Sequence, residues 1–136
     1  MVGCLQASRE LNAMSTGGTV IRIPRAAIWA CAVFLAVVFV ATGISKLVGP
    51  SAVRWGQRFT DWGYPANAHS VVGVLEVLGG LGLLIPRSRR AAAAVLVAIM
   101  IGALGTHAIH GEFPRFIPPL VLGGCALLLC GGPKRP

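Results

Sequence analysis

The sequence predicts an all-α, polytopic membrane protein: a four-helix bundle of up-down topology, with a short interfacial helix between the first two spans. Three observations predict it. Hydrophobic residues make up 55% of the chain and charged residues 12%, against about 25% charged residues in a soluble domain. The apolar residues are gathered into four long runs, and the charges sit in short clusters between them. None of the runs alternates with period two, and lipid admits only helices or a closed barrel.

Each element follows in order. Residues 1–22 are polar and carry no sustained period, which predicts a flexible tail; Met14 is an alternative start within it. The membrane domain is expected over 23–132, and 133–136 is a basic C-terminal tail. The first apolar run goes from Ala26 to Leu47 and holds about 20 uncharged residues before Lys46, enough to cross a hydrocarbon core about 30 Å thick. A signal peptide is the rival, with Ala41-Thr42-Gly43 as its imitation cleavage site. Gly49-Pro50 breaks the run. From Ser51 to Trp62, Val53, Trp55, Phe59 and Trp62 are interleaved with Arg54, Arg58 and Asp61, a mixture suited to the headgroup layer. The second run, Ala66 to Ile85, is closed by Pro86 and by Arg87, Arg89 and Arg90. The third, Ala91 to His110, opens on four alanines, all strong helix formers. The fourth, Phe116 to Cys130, is the shortest, with Pro118 and Pro119 in its first turn, where a missing N–H costs little.

The net charge of +8 raises the question of nucleic acid. The basic residues flank apolar runs instead of forming an aromatic-and-basic face, so nucleic acid is excluded as a partner. Four crossings put the N-terminus, the 87–90 loop and the C-terminus on one side. That side carries Arg9, Arg22, Arg25, Arg87, Arg89, Arg90, Lys134 and Arg135; the other carries Lys46, Arg54, Arg58 and Arg115. The positive-inside rule then predicts a multi-pass protein of the plasma membrane with both termini cytoplasmic.

Glu76 is the most informative residue. It lies about 15 Å into its helix, where a carboxyl group is costly and marks a functional site by default. His69, Gly73, Glu76 and Gly80 share one helical stripe, so Glu76 is expected to face the bundle interior. Gly43, Gly73 and Gly80 are positions of close helix approach. Thr42 and Lys46 stand one turn apart near the end of the first run, and Thr106, His107 and His110 end the third. These ends meet in an up-down bundle. A polar pocket is therefore expected with Glu76 at its floor and Lys46, His69, His107 and Thr42 around it. Two alternatives stand beside the pocket: interhelical polar packing, with Lys46 extending to the interface, and a proton or ion path. No metal site is predicted, since His107 and His110 alone do not define one. The chain has no P-loop, no Gly-x-Gly-x-x-Gly, no nucleophile elbow and no Cys-x-x-Cys. No pair of midplane histidines is placed for haem. Cys31, Cys125 and Cys130 read as small apolar packing residues.

At Phe39-Val-Ala-Thr-Gly43-Ile-Ser-Lys46-Leu47, Gly63-Tyr-Pro65, Gly73-Val-Leu-Glu76-Val-Leu-Gly79-Gly80 and the third run ending at His107, the chain resembles the DoxX and DoxX-like family of small four-helix membrane proteins. The resemblance runs from about Ile28 to His110; the fourth run fits in topology only. The family takes its name from a subunit of an archaeal thiosulfate:quinone oxidoreductase, and other members are linked to membrane responses to thiol or oxidative stress. The resemblance implies an accessory or scaffold subunit of a membrane-associated redox or oxidative-stress complex, with a small hydrophobic-ligand pocket around Glu76 and no catalysis on its own. One alternative is a quinone-linked oxidoreductase membrane subunit; another is a small transporter or proton path. No resident cofactor is predicted, and a quinone is the candidate ligand. The expected partners are the lipid bilayer, a membrane or peripheral protein, or a second copy of the chain.

Overall fold

A computed structural model describes residues 24–131. The tails expected at 1–22 and 133–136 lie outside the described residues. Within them all regular structure is helical: α1 (Arg25–Leu47), α2 (Gly49–Asp61), α3 (Ala68–Leu84), α4 (Arg89–Ile109) and α5 (Ile117–Cys130), with a 3-10 turn at Phe113–Phe116 leading into α5.

The 23 residues of α1 rise about 34 Å at the usual 1.5 Å per residue. Val48 ends the helix in an extended conformation, and Gly49 takes φ 70°, a left-handed value that glycine alone adopts cheaply. The break is thus Val48-Gly49. Pro50, expected to help end α1, sits in the first turn of α2, where its fixed φ suits a helix start. So α2 begins two residues earlier than the sequence suggested. It buries no residue completely. Phe59 is the centre of its aromatic face, with ring centroids 6.3 Å from Trp55, 5.5 Å from Trp62, 5.7 Å from Tyr64 and 6.3 Å from His69.

Of the four bundle helices the shortest is α5, with 14 residues, as its short apolar run suggested; α3 is the next. It has 17 residues, about 25 Å of rise, because Ile85 is extended ahead of Pro86. A residue before proline is pushed out of the helical region. Conversely, the 3-10 turn runs into α5, making an apolar stretch of 18 residues from Phe113 to Cys130. By length and composition, that stretch, α1 and α4 are each able to cross a membrane.

Neighbouring helices run antiparallel. Gly43 lies against Gly73 and Val77, whereas Ala36 and Phe39 lie against Gly80. Likewise Gly79 meets Leu96 and Gly82 meets Ala92, and Gly123 meets Met100 while Cys130 reaches the Arg90 carbonyl. Around the bundle, α1 packs on α3, α3 on α4, α4 on α5, and α5 makes a lighter contact back to α1.

The apolar core fills the end where α1 and α4 begin. Leu35, Phe39, Leu83 and Leu96 are its largest fully buried side chains, joined by Ala32, Ala93 and Ala126. Large apolar residues elsewhere face outward, among them Phe34 and Val37 of α1, Leu78 and Leu81 of α3, Ile101 of α4, and Leu127 and Leu128 of α5. The buried residues of α3 include two adjacent glycines and a glutamate. This distribution is the reverse of a water-soluble domain, where such an apolar belt would drive aggregation. Lipid solvates it. The molecule is an all-α membrane helical bundle.

Candidate functional site

Glu76 is the central residue of α3, with eight helical residues on either side. Its outward neighbours Val74, Leu75 and Leu78 are exposed, and it is 3% exposed itself. Lys46, 6% exposed, belongs to the last turn of α1. Its side chain turns into the bundle rather than to the interface. Lys46 Nζ donates a hydrogen bond of 2.6 Å to Glu76 Oε2. Charge-assisted bonds of this kind are short and strong, and each ion supplies what the other's burial demands. Thr42 lies one turn before Lys46, next to the same carboxylate, with its hydroxyl donating to the Phe39 carbonyl at 3.2 Å.

Two glycines make this approach possible. A Cβ on Gly43 would stand 2.6 Å from the Gly73 carbonyl oxygen, and one on Gly73 would stand 2.9 Å from that of Gly43. Gly80 repeats the pattern two turns further along, 3.1 Å from the Ala36 carbonyl. The backbones of α1 and α3 therefore touch beside the ion pair, and the Lys46 side chain has little distance to cover.

A further residue joins the site that sequence pattern did not single out for it. The Lys46 ammonium lies 4.6 Å from the centre of the Trp55 ring, and the Arg58 guanidinium lies 5.4 Å from it. Trp55 is half-buried. Its contact with Lys46 crosses the α1–α2 turn, so no helical spacing announces it. The site thus has a charged floor on α1 and α3 and an aromatic cover on α2.

The histidines lie elsewhere at this end of the molecule. His69 packs beneath α2, against Gly56 and the Phe59 ring. Its Nε2 is 3.2 Å from Ser70 Oγ, and its Nδ1 is buried without a partner. His107 Nδ1 is 2.8 Å from Glu112 Oε2, and its ring meets Trp62 edge-on at 5.5 Å. His110 Nδ1 is 3.0 Å from the Thr106 carbonyl. Tyr64 and Thr106 join hydroxyls at 2.7 Å. Of the five residues expected to share a pocket, Lys46, Glu76 and Thr42 come together, while His69 and His107 each answer to partners of their own.

Glu112 is legible in the sequence only as part of a tight turn. Gly111 takes φ 68°, which folds the chain back and returns Glu112 to His107. The His107 hydrogen bond, with Arg115 and Arg58 near, holds the Glu112 carboxyl below its ordinary value of 4.5. The sign follows from linkage: a carboxyl lowered by folding stabilises the fold above its unfolded value, and that contribution drains away as pH falls through the lower folded value. Glu112→Gln is expected to lower the melting temperature slightly at neutral pH, where the contribution is present, and to rejoin the wild-type curve as pH falls below about 4.5; the effect is small because the pair is partly open to solvent. An unchanged pH slope in detergent melting curves would refute the His107–Glu112 link.

Cys31, Cys125 and Cys130 are free thiols; Cys4 lies outside the described residues. Among the described residues no three His, Cys, Asp or Glu side chains converge as a metal site. No curated protein and no solved structure matches the chain. A family model, that of the DoxX-like family, matches residues 30–130. The match extends beyond His110 to take in α5, which on sequence alone fitted in topology only. With the buried Lys–Glu pair, the paired glycines and the membrane bundle in place over that whole stretch, the chain belongs to the DoxX-like family.

Proposed function

We propose that the protein is a non-catalytic accessory subunit of a membrane-associated redox or oxidative-stress complex, and that Lys46, Glu76 and Trp55 receive a small hydrophobic ligand of the quinone type. The observation that carries this is the Lys46–Glu76 ion pair, 2.6 Å long and buried in the bundle. Charges inside a membrane domain are costly and are kept where they work. A quinone needs what the pair and its cover offer: an ammonium donor for a carbonyl, an aromatic face, and apolar walls open to lipid. The cover, α2, buries no residue completely and is held by half-buried aromatic rings, so lifting it costs little packing. The partner that the subunit serves would supply the redox chemistry.

Trp55 gives the test a direct readout. Titrating a short-chain quinone into the detergent-solubilised protein is expected to quench tryptophan emission in a saturable way. Trp55→Phe removes most of that quenching. Glu76→Gln and Lys46→Met weaken the apparent affinity at least about tenfold, the scale of a lost charge-assisted bond. If these variants lose thermal stability yet bind the quinone as the wild type does, the pair is packing alone.

The bundle is further proposed to cross the plasma membrane four times, α3 included, with both termini cytoplasmic. Its 17 residues span a locally thinned core or lie nearly upright. Single cysteines placed at Gln57 in α2 and at Arg87 before α4 test this in a cysteine-free background. An impermeant maleimide on intact cells is expected to label position 57 and spare position 87; the opposite pattern inverts the topology.

A further inference from the structure

The opposite end of the bundle holds a second buried cation, and this one has no acid beside it among the described residues. Arg89 opens α4 and is 9% exposed. Its Nε donates to the Leu83 carbonyl at the end of α3, at 2.8 Å. Its guanidinium carbon lies 4.2 Å from the centre of the Trp29 ring on α1. Its Nη2 is buried with no hydrogen-bond partner.

The acids among the described residues are Asp61, Glu76 and Glu112. They belong to the end of α2, the middle of α3 and the loop after α4, none of them near the start of α4. The neighbours in sequence, Arg87 and Arg90, repeat the charge of Arg89. A buried guanidinium with an open donor is expensive unless an anion meets it. The start of α4 adds the positive end of its dipole. Trp29, 41% exposed toward the bundle's surroundings, marks the level where aromatic rings meet headgroups.

We infer that Arg89, braced by Leu83 and Trp29, is a binding site for a phosphate group, supplied by the headgroup of an anionic phospholipid. The planar fork of arginine matches two phosphate oxygens. Trp29 and the Leu83 carbonyl fix the plane of that fork, so the group is oriented before lipid arrives. The acyl chains then lie along the apolar outer faces of α1 and α4. Basic pockets between spans are where such headgroups bind.

The test uses the full chain purified in mild detergent, with phosphatidylglycerol or phosphatidylcholine added, and native mass spectrometry of retained lipid. Phosphatidylglycerol is expected to be retained about fivefold better than phosphatidylcholine. Arg89→Gln lowers it to the phosphatidylcholine level. Arg87→Gln, which removes an exposed charge from the same loop, changes retention by less than about twofold. Arg89→Lys keeps the charge without the fork and is expected to lose most of the preference, which covers the case where the glutamine variant does not fold. Equal retention of the two lipids by the wild-type protein overturns the site. So does full displacement of phosphatidylglycerol by inorganic phosphate, which would make the free ion the occupant.

Discussion

Replacing Glu76 by leucine while Lys46 stays in place is expected to lower the stability of the bundle by about 3–5 kcal/mol, the cost of stranding one member of a buried pair. The Lys46 side chain would be left in a site that is 6% exposed, beside the Trp55 ring and without its carboxylate. The double replacement Lys46→Met with Glu76→Leu is expected to recover most of the loss, since apolar side chains of similar volume often serve a buried pair's position as well as the pair does. Unfolding of Glu76→Leu, of Lys46→Met alone and of the double variant in mixed micelles gives the coupling energy directly, and contacting residues couple by about 0.5–3 kcal/mol. A double variant no more stable than Glu76→Leu alone would mean that the pair does not carry the effect. The recovered double variant also separates structure from function, because it folds without the charges that the proposed ligand needs.

Gly43→Ala has the next largest expected effect. The added Cβ would meet the Gly73 carbonyl oxygen at 2.6 Å and the Val77 side chain at 2.7 Å. Backbone cannot rotate out of the way as a side chain tip can, so α1 and α3 must part. Overpacking of this kind costs about 1–3 kcal/mol or more. The separation also draws Lys46, three residues on, away from Glu76. Gly73→Ala acts from the other side, against the Gly43 carbonyl at 2.9 Å. Gly102 and Gly105 of α4 are the controls, with nothing within 4 Å of an added Cβ. Alanine there is expected to be neutral or to stabilise by about 0.5–1 kcal/mol through helix propensity. Equal losses at Gly43 and Gly102 would show that propensity, not interhelical contact, governs the glycines.

The two effects share a cause. A membrane bundle gains little from burying apolar side chains, since lipid tails solvate them as well as a core does. Close backbone packing and satisfied polar groups carry the specificity instead. Here both are concentrated on the α1–α3 seam, where Gly43, Lys46, Gly73 and Glu76 lie within two turns of one another.

Much of this was legible in the chain itself. Long uncharged runs call for helices because lipid leaves backbone groups no other partner. The prolines and glycines between the runs mark where those helices stop. One carboxyl group at the centre of an apolar run announces a buried polar site, and glycines on the same stripe announce the neighbour that comes close. The helix ends lie within two residues of the expected runs. Ile85 drops out of α3 because of Pro86, and the 3-10 turn extends the last apolar stretch; both are local backbone effects that apolar run length does not report.

What only the tertiary structure decided is which polar groups meet. Lys46, Thr42, His69, His107 and Thr106 all fall near the same end of the bundle by topology, and sequence order treats them alike. The antiparallel fit of α1 on α3 selects Lys46 for Glu76. The turn at Gly111 commits His107 to Glu112, and α2 lies over His69. At the other end, the same packing buries Arg89 beneath Trp29 with no acid beside it among the described residues. Hydropathy measures how a residue is solvated on average, whereas a hydrogen bond depends on angles and distances of a few ångströms. Those are set by the contact of one helix with another.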